Sequence, residues 1–99
     1  MAVNAPIQGE CDQRFDRVKR VFAENFDQRG ELGASVAITL DGRPIVDLWG
    51  GHLDHARTKP WQRDNIVNVW STTKGLTAIC AHRLAGEGRL DFNAPVAKY

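Results

Sequence analysis

Ser71 and Lys74 stand three positions apart in the run Val69-Trp70-Ser71-Thr72-Thr73-Lys74-Gly75, ahead of an apolar, helix-patterned stretch from Leu76 to Leu84. Residues at that spacing share one face of a helix, so hydroxyl and amine meet one turn apart. An alkyl alcohol is a poor nucleophile near neutral pH, and an unprotonated amine beside it can take its proton. The pair therefore predicts a nucleophilic serine, Ser71, with Lys74 as its proton acceptor. A helix starting here adds backbone N–H groups and a positive dipole end that favour an oxyanion, with the N–H of Ser71 as one donor. The residues alone leave a second possibility open: Ser71 or Thr72 as a plain helix N-cap, with Lys74 a solvated first-turn side chain. A cation in the first turn opposes the dipole, which tilts the balance slightly toward chemistry.

Other chemistry-bearing residues lead less far. Gly33-Ala34-Ser35-Val36-Ala37 superficially matches the Gly-x-Ser-x-Gly elbow of α/β-hydrolases, but the last position is alanine and a hairpin follows where an elbow needs a helix, so Ser35 is expected in a strand. His52, Asp54 and His55 cluster in a polar stretch, yet they lack the further ligands that close a four-coordinate site, and a solvated loop is expected. Cys11 lies in a polar N-terminal stretch and Cys80 in the apolar row after Ser71; no disulfide framework is indicated, and Cys80 is expected to be a small buried hydrophobe. Trp70 is expected as core or pocket wall. No metal and no cofactor are called for.

Three elements must position the pair. Phe15, Val18, Phe22 and Phe26 recur at spacings of three and four between charges, predicting an amphipathic helix over 12–29 that ends at Gly30 and packs its aromatic stripe on its own sheet. Val36, Ile38 and Leu40 alternate ahead of Asp41-Gly42, and Ile45 to Trp49 follows, predicting a β-hairpin over 33–49 with a type I′ turn. Pro44 implies an edge or strand-entry position. The β-branched and aromatic run Asn65 to Trp70 is expected to be extended, and the nucleophile helix to run over 71–87, closed by Gly86 and Gly88. Asp91 to Pro95 opens a further turn. Two strands with helices on a single face would leave sheet edges and the other face uncovered, so more chain, or another chain, is expected to complete the fold.

The 99 residues carry 13 basic and 12 acidic side chains, a net charge of +1, with no basic block of the kind that tracks phosphates, so nucleic acid is not an expected partner. No apolar run reaches the ~20 residues that span a bilayer, and no membrane association is expected. Met1 to Glu10 lacks a cationic start and an apolar core, so it does not read as a secretory leader and a cytoplasmic location is expected.

The whole chain resembles the N-terminal part of a serine β-lactamase-fold hydrolase, closest to the class C β-lactamase-like esterases known as family VIII carboxylesterases. The resemblance rests on the opening helix, the Gly-Ala-Ser-Val-Ala-Ile hairpin, the Trp-Ser-Thr-Thr-Lys-Gly-Leu-Thr-Ala stretch and the tail Gly-Arg-Leu-Asp-Phe-Asn-Ala-Pro-Val-Ala-Lys-Tyr. It implies an α+β fold of the β-lactamase/DD-peptidase type, incomplete as given: amphipathic helix, β-hairpin of an antiparallel sheet, and nucleophile-bearing helix. It also implies that Ser71 forms an acyl-enzyme with a small-molecule ester, short acyl chains favoured, and that Lys74 assists. Amide hydrolysis of the β-lactamase or DD-peptidase kind, or a non-catalytic binding module, are the alternatives. The family's Tyr-x-Asn-like tyrosine and its oxyanion-donating strand have no counterpart in these residues, and Tyr99 is not assigned the tyrosine's part. The remainder of the same polypeptide or a complementary chain would supply them, and this portion alone is expected to be inactive.

Overall fold

A computed structural model describes residues 5–99; of the stretch read above for a leader, residues 1–4 lie outside the described residues. The chain divides into two compact units, Met1–Asn65 and Ile66–Tyr99.

The first unit is a helix packed on a three-stranded antiparallel sheet. Asp12 caps a single 3-10 turn, Gln13–Phe15, by accepting the Arg14 N–H on its side chain, and that turn leads into α1, Asp16–Gln28. The strands are β1, Ile7–Cys11, β2, Gly33–Leu40, and β3, Arg43–Gly51, in the spatial order β1-β3-β2. Pairing aligns Cys11 with Val46 and Gly9 with Leu48 on one side of β3, and Ile38 with Val46 and Val36 with Leu48 on the other. Because strand side chains alternate, Val46 and Leu48 point to one face while Asp47 and Trp49 point to the opposite one. Phe22 and Phe26, one helical turn apart on α1, meet Val46 and Leu48 as the buried core. The two rings are edge to face, with centroids 5.2 Å apart. Such pairs add about 0.5–1.5 kcal/mol beyond the area they bury.

The hairpin turn is Asp41-Gly42 with φ of 50° and 75°, the two positive values a type I′ turn requires. Gly51, also at positive φ (82°), brings the chain so close to the Leu32 carbonyl and the Phe26 ring that a Cβ there would overlap both.

Two expectations are corrected here and one alternative is decided. The sheet has three strands rather than two, because Ile7–Cys11, a stretch with little apolar alternation, pairs with β3. Pro44, expected at an edge or a strand entry, lies at the entry of the central strand. It is tolerated at the strand entry because β1 pairs only from Val46 onward and a register shift in β2 sits between Ile38 and Thr39, beside Pro44's partner. Asn65 to Trp70 forms no strand: it has extended-favouring residues but no ladder partner, and Ile66, Val67 and Val69 are exposed.

Beyond β3, His52 bridges Pro60, and the Asp54 carboxylate accepts from the Thr58 and Lys59 N–H groups at 3.0 Å and from the Thr58 hydroxyl. The Thr58 hydroxyl first, then the backbone N–H of Lys59, hold the Asp54 carboxyl below its ordinary range. Trp61 is buried, its backbone N–H bonded to the Gly51 carbonyl at 2.9 Å and its ring where a Cβ on Gly33 would sit. On the outer sheet face, Arg63 pairs with Asp47 at 2.9 Å and lies over the Trp49 ring.

The second unit is built on α2, Thr73–Gly86. Its C-terminus is closed by Arg89 N–H to the Leu84 carbonyl (2.9 Å) and Gly88 N–H to the Ala85 carbonyl (3.0 Å), with Gly88 at φ 71°. That is the six-to-one and five-to-two pattern of a Schellman cap, which needs a left-handed residue at Gly88. The following turn folds back on itself: the Asp91 N–H donates to the Tyr99 hydroxyl at 2.7 Å, and a last 3-10 turn spans Val96–Lys98. Among the described residues, none of α2 is buried. Cys80, expected inside, is exposed among the described residues.

Candidate active site

Ser71 occupies the middle of a single 3-10 turn, Trp70–Thr72, that feeds directly into α2. Continuous helical backbone from Ser71 to Lys74 stacks the two side chains one above the other, and Lys74 Nζ lies 2.8 Å from Ser71 Oγ, within hydrogen-bond distance. Both sequence-predicted site residues are thus brought together.

The simple capping role is not what their side chains perform. The residue that caps α2 is Thr72, whose backbone is already helical and whose hydroxyl makes no cap hydrogen bond; Val69, which caps the 3-10 turn, makes none either. The Ser71 hydroxyl meets Lys74 instead. Both residues lie at the positive end of the α2 dipole, where a developing negative charge is stabilised.

Two features of the approach to Ser71 escaped sequence reasoning. Trp70 has φ of 49°, a left-handed conformation that costs a bulky residue roughly 1–2 kcal/mol. Its N–H donates to the Asn68 side-chain carbonyl at 3.0 Å. An asparagine two residues ahead of a turn is the signal that announces such a bond. Trp70, expected as core or pocket wall, is 78% exposed among these residues.

Ser35 lies in β2 opposite Trp49, with neither a lysine nor a histidine beside it in the pairing. His52 and His55 remain in the loop whose Asp54 is engaged by Thr58 and Lys59. Both sets belong to the first unit and Ser71 to the second.

An α+β arrangement of antiparallel sheet and two helices, the second led by a serine paired with a lysine one turn on, is that of the N-terminal part of the β-lactamase-like fold. Residues 18–99 match the beta-lactamase family model, and the chain belongs to that family. It is 47% identical over 93 residues to the esterase/beta-lactamase LipL of Mycobacterium tuberculosis, covering 94% of this chain and 22% of that protein. It is 26% identical over 83 residues to the esterase EstB of Burkholderia gladioli, covering 84% of this chain and 21% of EstB. Among solved structures, a family VIII carboxylesterase superposes with a TM-score of 0.87 at 46% identity, over 95% of this chain and 26% of that one. A penicillin-binding protein homolog from Caulobacter crescentus gives 0.85 at 42% identity, over 94% and 25%. The chain therefore spans about a quarter or less of the length of the relatives it matches. Among the described residues, no helix is long and apolar enough to cross a membrane.

Proposed function

We propose that this chain carries the nucleophile element of a serine hydrolase that cleaves carboxylic esters, short acyl chains favoured, through an acyl-enzyme on Ser71. The observation that carries this reading is the 2.8 Å approach of Lys74 Nζ to Ser71 Oγ at the start of α2. With the amine unprotonated, Ser71 Oγ attacks the ester carbonyl carbon while its proton passes to Lys74. The carbonyl oxygen gathers negative charge, which the dipole of α2 and the Ser71 N–H stabilise. The C–O bond then breaks, the alcohol leaves with the proton from Lys74, and the acyl group remains on Ser71. Water attacks the acyl carbon, releases the carboxylic acid and restores the hydroxyl.

Support comes from a relative named as an esterase/beta-lactamase at 47% identity and from a family VIII carboxylesterase at 46%. Amide hydrolysis of the β-lactamase or DD-peptidase kind is the second reading, favoured by the penicillin-binding protein homolog at 42%. The catalytic tyrosine and the second oxyanion donor implied by the resemblance would come from polypeptide outside these 99 residues. Loss of one oxyanion donor typically costs ~100- to 1,000-fold in turnover, so the 99-residue piece by itself is inactive.

Intact-mass spectrometry after exposure to a fluorophosphonate tests the reading. In the full-length protein one adduct forms on Ser71, and S71A takes none. Absence of an adduct from folded full-length protein overturns the reading, and supports a binding module of the same fold.

A further inference from the structure

Among the described residues, three that are not glycine have positive φ: Asp41, Arg57 and Trp70. Asp41 forms the hairpin turn, and Arg57 sits in the surface loop between His52 and Arg63. Trp70 differs in kind. It is a large aromatic immediately before the serine, and a side chain two residues earlier engages its backbone. Asn68 Oδ1 accepts the Trp70 N–H at 3.0 Å, while the Thr72 N–H closes the next turn on the Val69 carbonyl at 3.1 Å.

The consequence for Ser71 follows from helix geometry. Side chains on a helix lean toward its N-terminus, over the turn that precedes them. Had residues 67–70 continued α2 backwards, that turn would lie over the Ser71 hydroxyl and the Lys74 amine. A left-handed residue at position 70 ends the helix there and diverts the chain, leaving the side of Oγ that a carbonyl carbon must approach.

We infer that Asn68 is a positioning residue for the nucleophile: its side-chain carbonyl locks the left-handed Trp70 and so keeps the approach to Ser71 open, a role that rests on the reading of Ser71 as the acylated serine. It touches neither substrate nor reacting atoms, and it acts through the backbone of Trp70.

The test uses the full-length protein and the second-order rate of fluorophosphonate labelling at Ser71. N68A loses about tenfold, the rate equivalent of a left-handed penalty no longer offset. N68D, whose carboxylate accepts the same N–H, stays within about threefold of the parent. W70G and W70V both remove the indole, so the difference between them reads the backbone alone. Glycine adopts positive φ freely and W70G stays within about threefold, whereas the β-branched W70V falls at least about tenfold. Equal rates for N68A and the parent, or for W70V and W70G, overturn the proposal. The crystal structure of N68A gives a readout free of turnover. A negative φ at residue 70 supports the lock, and a φ that stays near 49° overturns it. If the parent takes no adduct at all, the acyl-enzyme reading falls while this φ still decides whether Asn68 holds Trp70.

Discussion

The two helices of this chain hold their side chains by opposite means. α1 is fixed by what it covers: Phe22 and Phe26 are buried against Val46 and Leu48, and full burial of such side chains contributes about 1.5–3 kcal/mol each. α2 buries nothing among the described residues; Leu76 is 63% exposed and Ile79 64%. Its geometry is set by short-range bonds instead: the Asn68 carbonyl before it, the Ser71–Lys74 contact in its first turn, and the Schellman cap at its end. The contrast teaches where chemistry can be separated from packing. A nucleophile and base three residues apart need only one turn of helix to meet, whereas a core needs residues far apart in sequence. The chain spans 22% and 26% of its relatives' length.

The largest effect separates the units by function. In the full-length protein, K74A lowers fluorophosphonate labelling and ester hydrolysis by about 100- to 10,000-fold, the usual contribution of positioned proton transfer. Its unfolding midpoint in urea stays that of the parent. A large loss of stability in K74A would break the comparison by making the pair structural.

Stability separates them in the other direction. In the 99-residue chain, L48A, at a residue 0% exposed, destabilises by about 2–5 kcal/mol, read from urea unfolding. L76A, the same truncation on α2, stays within about 0.5 kcal/mol. A cost at Leu76 as large as at Leu48 would show that α2 is covered after all. Repeating L76A in the full-length protein measures how much of the helix the remaining polypeptide buries.

The smallest effect sharpens the account of how α1 starts. The Arg14 guanidinium, hydrogen-bonded to Asp12 at 2.8 and 3.1 Å, and then the Arg14 backbone N–H hold the Asp12 carboxyl at about 2, below its ordinary 3.8. A carboxylate depressed in the folded state stabilises the fold fully above its unfolded value and stops doing so as pH falls through the folded one. Asp12 therefore contributes above about pH 4, and its contribution disappears toward pH 2. The effect is small because both partners lie in water. D12N lowers the thermal midpoint at pH 5 and narrows the gap between pH 5 and pH 2.5. An unchanged gap would remove Asp12 from the account of the α1 entry.

Much of this was legible beforehand, for particular reasons. Phe15, Val18, Phe22 and Phe26 at spacings of three and four announce α1 because their periodicity matches its pitch, and Asp41-Gly42 announces the hairpin because few other dipeptides accept two positive φ values. β1 was not legible. Gln8, Gly9 and Glu10 show no apolar alternation, and the strand exists because β3 offers a partner and because Gly9 has no Cβ to strike the Asp47 carbonyl. The run from Asn65 to Trp70 fails in the opposite sense, with strand-favouring residues and no neighbour to pair with. Trp61 carried no sign of burial, since its place against Gly33 depends on a loop returning to the sheet.

The sequence by itself determined what lies within a turn or a hairpin: the Ser71–Lys74 spacing, the amphipathic stripe of α1, the Asp41-Gly42 reversal and the glycine that closes α2. Only the tertiary structure decided that β3 is central, that Ile7–Cys11 is its second partner and that Trp61 is inside. The division follows from range. Periodicity and turn chemistry act over a few residues and leave marks in composition, while strand order and burial depend on which distant partner satisfies the backbone.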